Sequence, residues 1–185
     1  MKKTIYTLFI LLITGLTIGQ NLELDKRNGF KQIKLGSTYN SFNGIVDISC
    51  KNPNSICGLW KTSDSNLGYL FNDKIDVFEL EFDKDSKELK IIRIYIAIQK
   101  PYTDPEVFER FKAINEKLIS VLGKADRAMT DLMGFMWFGN KVAMGIMLKA
   151  EEMKYDTISK IIGSTSIILT FSSIENIKEG TKKGF

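Results

Sequence analysis

The sequence predicts an α+β fold: an antiparallel sheet of about five to six strands, built around two hairpins, with one principal amphipathic helix packed on a face. Three patterns predict it. Phe78, Leu80 and Phe82 alternate with Glu79 and Glu81, the period of a half-buried strand. Val107, Phe108, Phe111, Ile114, Leu118, Ile119 and Leu122 recur at three- and four-residue spacing, the period of a helix face. Gly139-Asn140 separates two apolar runs, as a tight hairpin turn does.

In chain order, the first nineteen residues, MKKTIYTLFILLITGLTIG, read as a signal peptide. Lys2 and Lys3 form its basic start, Ile5 to Ile18 its apolar middle, and Thr17 and Gly19 the small residues a signal peptidase requires. Cleavage after Gly19 leaves Gln20 as the new N-terminus. An uncleaved anchor is the competing reading, but a span takes about 20 apolar residues, and this run is shorter and holds Thr7, Thr14 and Thr17. No second hydrophobic run follows, so no membrane span is expected after leader removal. The protein is therefore expected in the periplasm or outside the cell.

Residues 20–175 are read as one domain and 176–185 as a polar, basic tail. Gln20 to Gly29 is polar and reads as a frayed lead-in. Phe30 to Gly36 alternates like a short strand, and Ser37 is placed to cap a helical turn reaching Phe42. Ser49 to Asn72 is rich in Ser, Asn, Gly and Lys and reads as loop, with a short strand within Gly68–Phe71. Val77 to Asp83 and Leu89 to Ile98 are expected to pair as a hairpin, the second strand central because it is apolar on both faces. The principal helix spans Pro105 to Leu122, with Asp104 as cap, Pro105 at the first helical position and Gly123 just past the end. Phe135–Phe138 and Lys141–Leu148 form the second hairpin, with Val142, Met144, Ile146 and Leu148 inward. Ser166 to Ser172 is the last strand. Leu35-Gly36 and Leu122-Gly123 hint at an internal repeat, although Leu-Gly is a common way to end an element.

Composition limits the chemistry. With 44% apolar and 26% charged residues the chain is an ordinary globular protein, and losing Lys2 and Lys3 takes its net charge from +4 to +2. The remaining charges are mixed, so no nucleic-acid partner is expected. The sequence contains no histidine, which removes Ser-His-Asp and Cys-His catalysis, histidine zinc sites and the best proton-transfer side chain near neutral pH. No serine has a lysine three residues on, and no phosphate-binding glycine loop is present. Cys50 and Cys57 flank a segment with Asn52, Pro53 and Asn54 that can turn back, so an exported chain is expected to join them in a disulfide. Two free thiols are the alternative; a zinc or redox pair does not suit the spacing.

The acidic cluster from Asp73 to Glu88 could supply a carboxylate pair to a hydrolase, but Glu79 and Glu81 sit on the polar side of their strand, where solvation is the plain expectation. Asp83 to Glu88 lacks the glycine and the third ligand of a calcium loop. Six of seven methionines fall between Met129 and Met153; they could hold Cu(I), but core filling is the simpler reading, and neither a metal nor another cofactor is expected. Trp137 and Phe138 beside the hairpin turn, with Trp60 in its polar stretch, are the candidate partner-contacting aromatics; core packing is the alternative.

The segment Ile33-Lys-Leu-Gly36-Ser-Thr-Tyr-Asn-Ser-Phe42 resembles the opening of small exported bacterial proteins of unknown function and the BamE/SmpA type of outer-membrane assembly lipoprotein. That type carries a lipidated cysteine after the leader, which this chain lacks, and no functional residue transfers from it. The expected function is a non-enzymatic binding module of the periplasm or cell exterior whose partner is another envelope or secreted protein. The alternatives are a histidine-free hydrolase using scattered carboxylates and a carrier of a small apolar ligand.

Overall fold

The isoleucine-rich run Leu89–Ile98 occupies the middle of the sheet, as its two apolar faces require. The computed structural model describes residues 21–98, 100, 104–129, 133–150 and 165–182. The expected leader, 1–19, lies outside them. The elements are α1 (Leu22–Arg27), β1 (Gly29–Phe30), β2 (Ile33–Lys34), β3 (Val46–Ile48), β4 (Ser55–Trp60), β5 (Tyr69–Leu70), β6 (Asp73–Lys74), β7 (Val77–Asp83), β8 (Leu89–Ile98), α2 (Pro105–Leu122), β9 (Arg127–Met129), β10 (Gly134–Phe138), β11 (Val142–Ala150), β12 (Thr165–Ser173) and α3 (Ile174–Lys182).

One antiparallel sheet has the order β3-β4-β7-β8-β12-β11-β10-β9, while β1–β2 and β5–β6 form two small ribbons. The fold is α+β, with eight strands in the main sheet rather than five to six. Its connectivity falls into halves. The β3-β4-β7-β8 meander follows α1, the β9-β10-β11-β12 meander follows α2, and their last strands meet antiparallel at the centre. The two Leu-Gly steps precede the two meanders.

One face of the sheet holds the core. Cross-strand pairing aligns Phe78, Ile94, Leu169, Ile146 and Phe135 in a row. Helix α2 lays Val107, Phe111, Ile114 and Leu118 on this face, and the rings of Phe111 and Phe135 stack at 6.3 Å. Each fully buried side chain of this kind contributes about 1.5–3 kcal/mol. The helix has the expected bounds; Asp104 accepts the Glu106 N–H at 2.9 Å and Gly123 follows the last residue. No helix among the described residues is long and apolar enough to cross a membrane.

Four local expectations need correction. The expected lead-in contains α1, held because Leu24 is fully buried and Asn21 caps it through the Leu24 N–H at 3.0 Å. The expected strand Phe30–Gly36 is a ribbon that reverses at Lys31-Gln32, with Lys31 at φ 51°. The expected loop Ser49–Asn72 contains β4, which pairs with β3 and β7. The stretch from Asn176 onward, expected as tail, lies largely within α3, and Asn176 Nδ2 donates to Ser172 Oγ at 3.2 Å. Two turns also shift. Thr38, not Ser37, precedes the short helical turn Tyr39–Ser41, and the second hairpin reverses at Asn140-Lys141, one residue past Gly139-Asn140.

Cys50 and Cys57 form a disulfide, with Cα atoms 5.4 Å apart. It closes the end of the β3–β4 hairpin, joining Cys57, which pairs with Ile48, to Cys50 two residues past Ile48.

Candidate functional site

Between α1, the two ribbons and the C-terminal half of α2 runs an apolar groove of about 210 Å³. Its floor is Leu24, Phe30, Leu70, Leu118 and Leu122, with Met144, Leu169 and Phe171 of the sheet beneath. Phe71 and Val121 stand on its sides, 39% and 41% exposed. Arg27 and Lys31 also line it, and no carboxylate does among the described residues.

Local chemistry assembles this groove. The β5–β6 ribbon reverses at Phe71-Asn72, and Phe71 has φ 54°. Such a backbone suits glycine; for a bulky side chain it is a true outlier costing about 1–2 kcal/mol, and residues held this way cluster at functional sites. Two contacts fix the ribbon to α2: Arg110 Nε donates to Asp73 Oδ1 at 2.6 Å, and Lys117 Nζ sits 5.5 Å from the Phe71 ring centroid. Lys31 joins the β1–β2 ribbon to the same place, donating to the carbonyls of Asn66 and Tyr69. Burial pulls the Lys31 ammonium below its ordinary value, with Asp64 opposing.

The opposite sheet face carries a polar network. Arg93 of β8 faces Glu79 of β7 and donates to its Oε1 at 2.5 Å, and to Glu81 Oε2 at 2.9 Å. Tyr95 Oη donates to Glu79 Oε2 at 2.7 Å, and Ser55 Oγ to Glu81 Oε1 at 2.8 Å. Burial pushes the Arg93 guanidinium down, but the two adjacent carboxylates outweigh it and hold the group above its ordinary value. Glu79 and Glu81, expected in solvent, are thus half-buried or buried and committed to a shared cation. This arrangement ties strands together; it leaves neither carboxylate placed as a free general base.

A shallow cleft of about 550 Å³ is lined by Thr38, Tyr39, Asn40, Asp47, Ile56 and Lys87. Tyr39 Oη donates to Asp47 Oδ1 at 2.6 Å. That bond, with burial and the Asp47 charge, raises the phenol above its ordinary value.

None of the three aromatic candidates lines the apolar groove. Trp137 is fully buried and donates through Nε1 to the Gly123 carbonyl at 2.9 Å. Phe138 is half-buried, its N–H held by Asp126 Oδ2 at 2.7 Å. Trp60 is half-buried against Phe42 and Phe78, with ring centroids at 5.3 and 5.6 Å. Phe71 and Val121 were not singled out by sequence: Phe71 lies in a polar stretch, and Val121 is off the main helix stripe.

No protein-family model matches this chain, and no curated protein or solved structure matches it.

Proposed function

We propose that the protein is an exported, non-enzymatic binding module whose groove takes an apolar segment of another envelope or secreted protein. The observation that carries this reading is Phe71, a large aromatic exposed beside the groove on a backbone that favours glycine. Lys31 in the groove lining and Lys117 over the Phe71 ring favour a segment with acidic residues flanking its apolar anchor, while Arg27 is already paired with Glu23 at 2.9 Å. The volume supports a protein segment over a carried small ligand. Ligand pockets usually enclose about 300–1,000 Å³, and this groove holds about 210 Å³.

A photoreactive side chain placed at Val121 tests the reading in living cells. The expected result is one discrete, stoichiometric protein adduct in the exported fraction, lost in the Phe71→Gly variant. No discrete adduct, or one indifferent to Phe71, would count against it.

A further inference from the structure

The methionines of the second half of the chain do not share one environment. Met144 is fully buried on the helix-facing side, and Met133 packs against the same core. Met129, Met136 and Met147 lie on the other face, all half-buried. Pairing places Met129 opposite Gly134 and Gly134 opposite Met147, with Met136 two residues along β10 and opposite Gly145.

Gly134 and Gly145 therefore put no side chain of their own between the three methionines. A Cβ at Gly134 would lie 2.8 Å from Met129 Cε and 3.3 Å from Met147 Cβ. The end of the Met129 side chain thus lies over the glycine. A Cβ at Gly145 would lie 3.8 Å from Met136 Cγ. Neighbouring strands are about 4.8 Å apart, so flexible methionine chains on either side of Gly134 can bring their sulfurs together above it. Arg127, beside Met136 on β9, is exposed and can keep its charge in solvent.

We propose that Met129, Met136 and Met147 form a three-thioether site for a soft monovalent cation of the Cu(I) class. Thioether sulfur selects soft ions over hard ones. The competing soft donors are absent by composition, since the sequence has no histidine and its two cysteines are joined in a disulfide. The site is separate from the groove, and binding needs no change of oxidation state.

Ag(I), a soft probe that does not change oxidation state here, tests the site in the purified full chain with its methionine ε-methyl groups labelled with carbon-13. The ε-methyl signals of Met129, Met136 and Met147 are expected to move together and stop at one Ag(I) per chain, while those of Met133 and Met144 stay in place. Met129→Leu with Met147→Leu, which conserves volume, should lower Ag(I) affinity about tenfold or more. Met136→Leu alone should also weaken binding, and serves if the double variant does not fold. The proposal fails if there is no one-to-one end point, if Met133 or Met144 moves in place of the three, or if the folded variants bind Ag(I) unchanged.

Discussion

Asp25 of α1 and Gly139 of the β10–β11 hairpin touch with no room between them: a Cβ at Gly139 would overlap the Asp25 carboxylate. That closeness lets the carboxylate reach the turn. Oδ2 accepts the Asn140 N–H at 2.6 Å, and Oδ1 accepts those of Lys141 at 2.8 Å and Val142 at 3.1 Å. Gly139→Ala should destabilise by about 1–3 kcal/mol through crowding, and Asp25→Ala by about 2–3 kcal/mol through three charge-assisted bonds. Because the overlap is with the aspartate side chain, leaving a 3.1 Å approach to the Asn21 carbonyl oxygen, the double variant should lose much less relative to Asp25→Ala than Gly139→Ala loses relative to wild type. Urea unfolding of the full cycle measures this coupling.

Acid should release the same clip. Burial raises the Asp25 carboxyl, but the three backbone N–H groups prevail and hold it below its ordinary value of 3.8. A carboxyl depressed in the folded state stabilises fully above its unfolded value and loses that contribution as pH falls through the folded one. The stability gap between wild type and Asp25→Asn should therefore be largest near about pH 7 and shrink below about pH 4. Urea midpoints across that range report it.

Arg93→Met should cost about 2–3 kcal/mol, less than for a fully buried pair because the guanidinium is 27% exposed. The loss comes from leaving Glu79 and Glu81 close together with no cation between them. Adding Glu79→Gln should recover part of it. An Arg93→Met protein as stable as wild type by thermal unfolding would mean that the network contributes little.

Reducing the Cys50–Cys57 bond should lower stability by about 2–3 kcal/mol, the loop-closure entropy of a short ring. The local effect should appear at the β3 edge. Hydrogen exchange at Val46–Ile48 should accelerate while Leu89–Ile98 stays protected.

Elements whose pattern is local were legible. Val77–Asp83, Leu89–Ile98 and Pro105–Leu122 each show their own period, because each buries one continuous face or both faces of a strand. β4 was hidden because Cys57 and Gly58 give it the composition of a loop, although it fits between two partners. α1 has one buried anchor, Leu24, and its support comes from Leu122 and the Asn140 turn, far away in sequence. The network at Glu79 and Glu81 left one readable trace: an arginine inside an isoleucine run, in register with Glu79 once the hairpin is drawn. The groove left none, since only the fold brings Phe71 beside Val121 and only the backbone shows that Phe71 stands where glycine belongs.

The central claim, that Phe71 is kept at a conformational cost in order to bind, is tested most directly by the Phe71→Gly variant read two ways. Thermal unfolding should show stability within about 1 kcal/mol of wild type, because relief of the left-handed backbone offsets the lost Lys117 contact and ring burial. Crosslinking from Val121 should lose the partner adduct at the same time. A variant that keeps the adduct while losing more than about 1 kcal/mol would make Phe71 a packing residue and contradict the account.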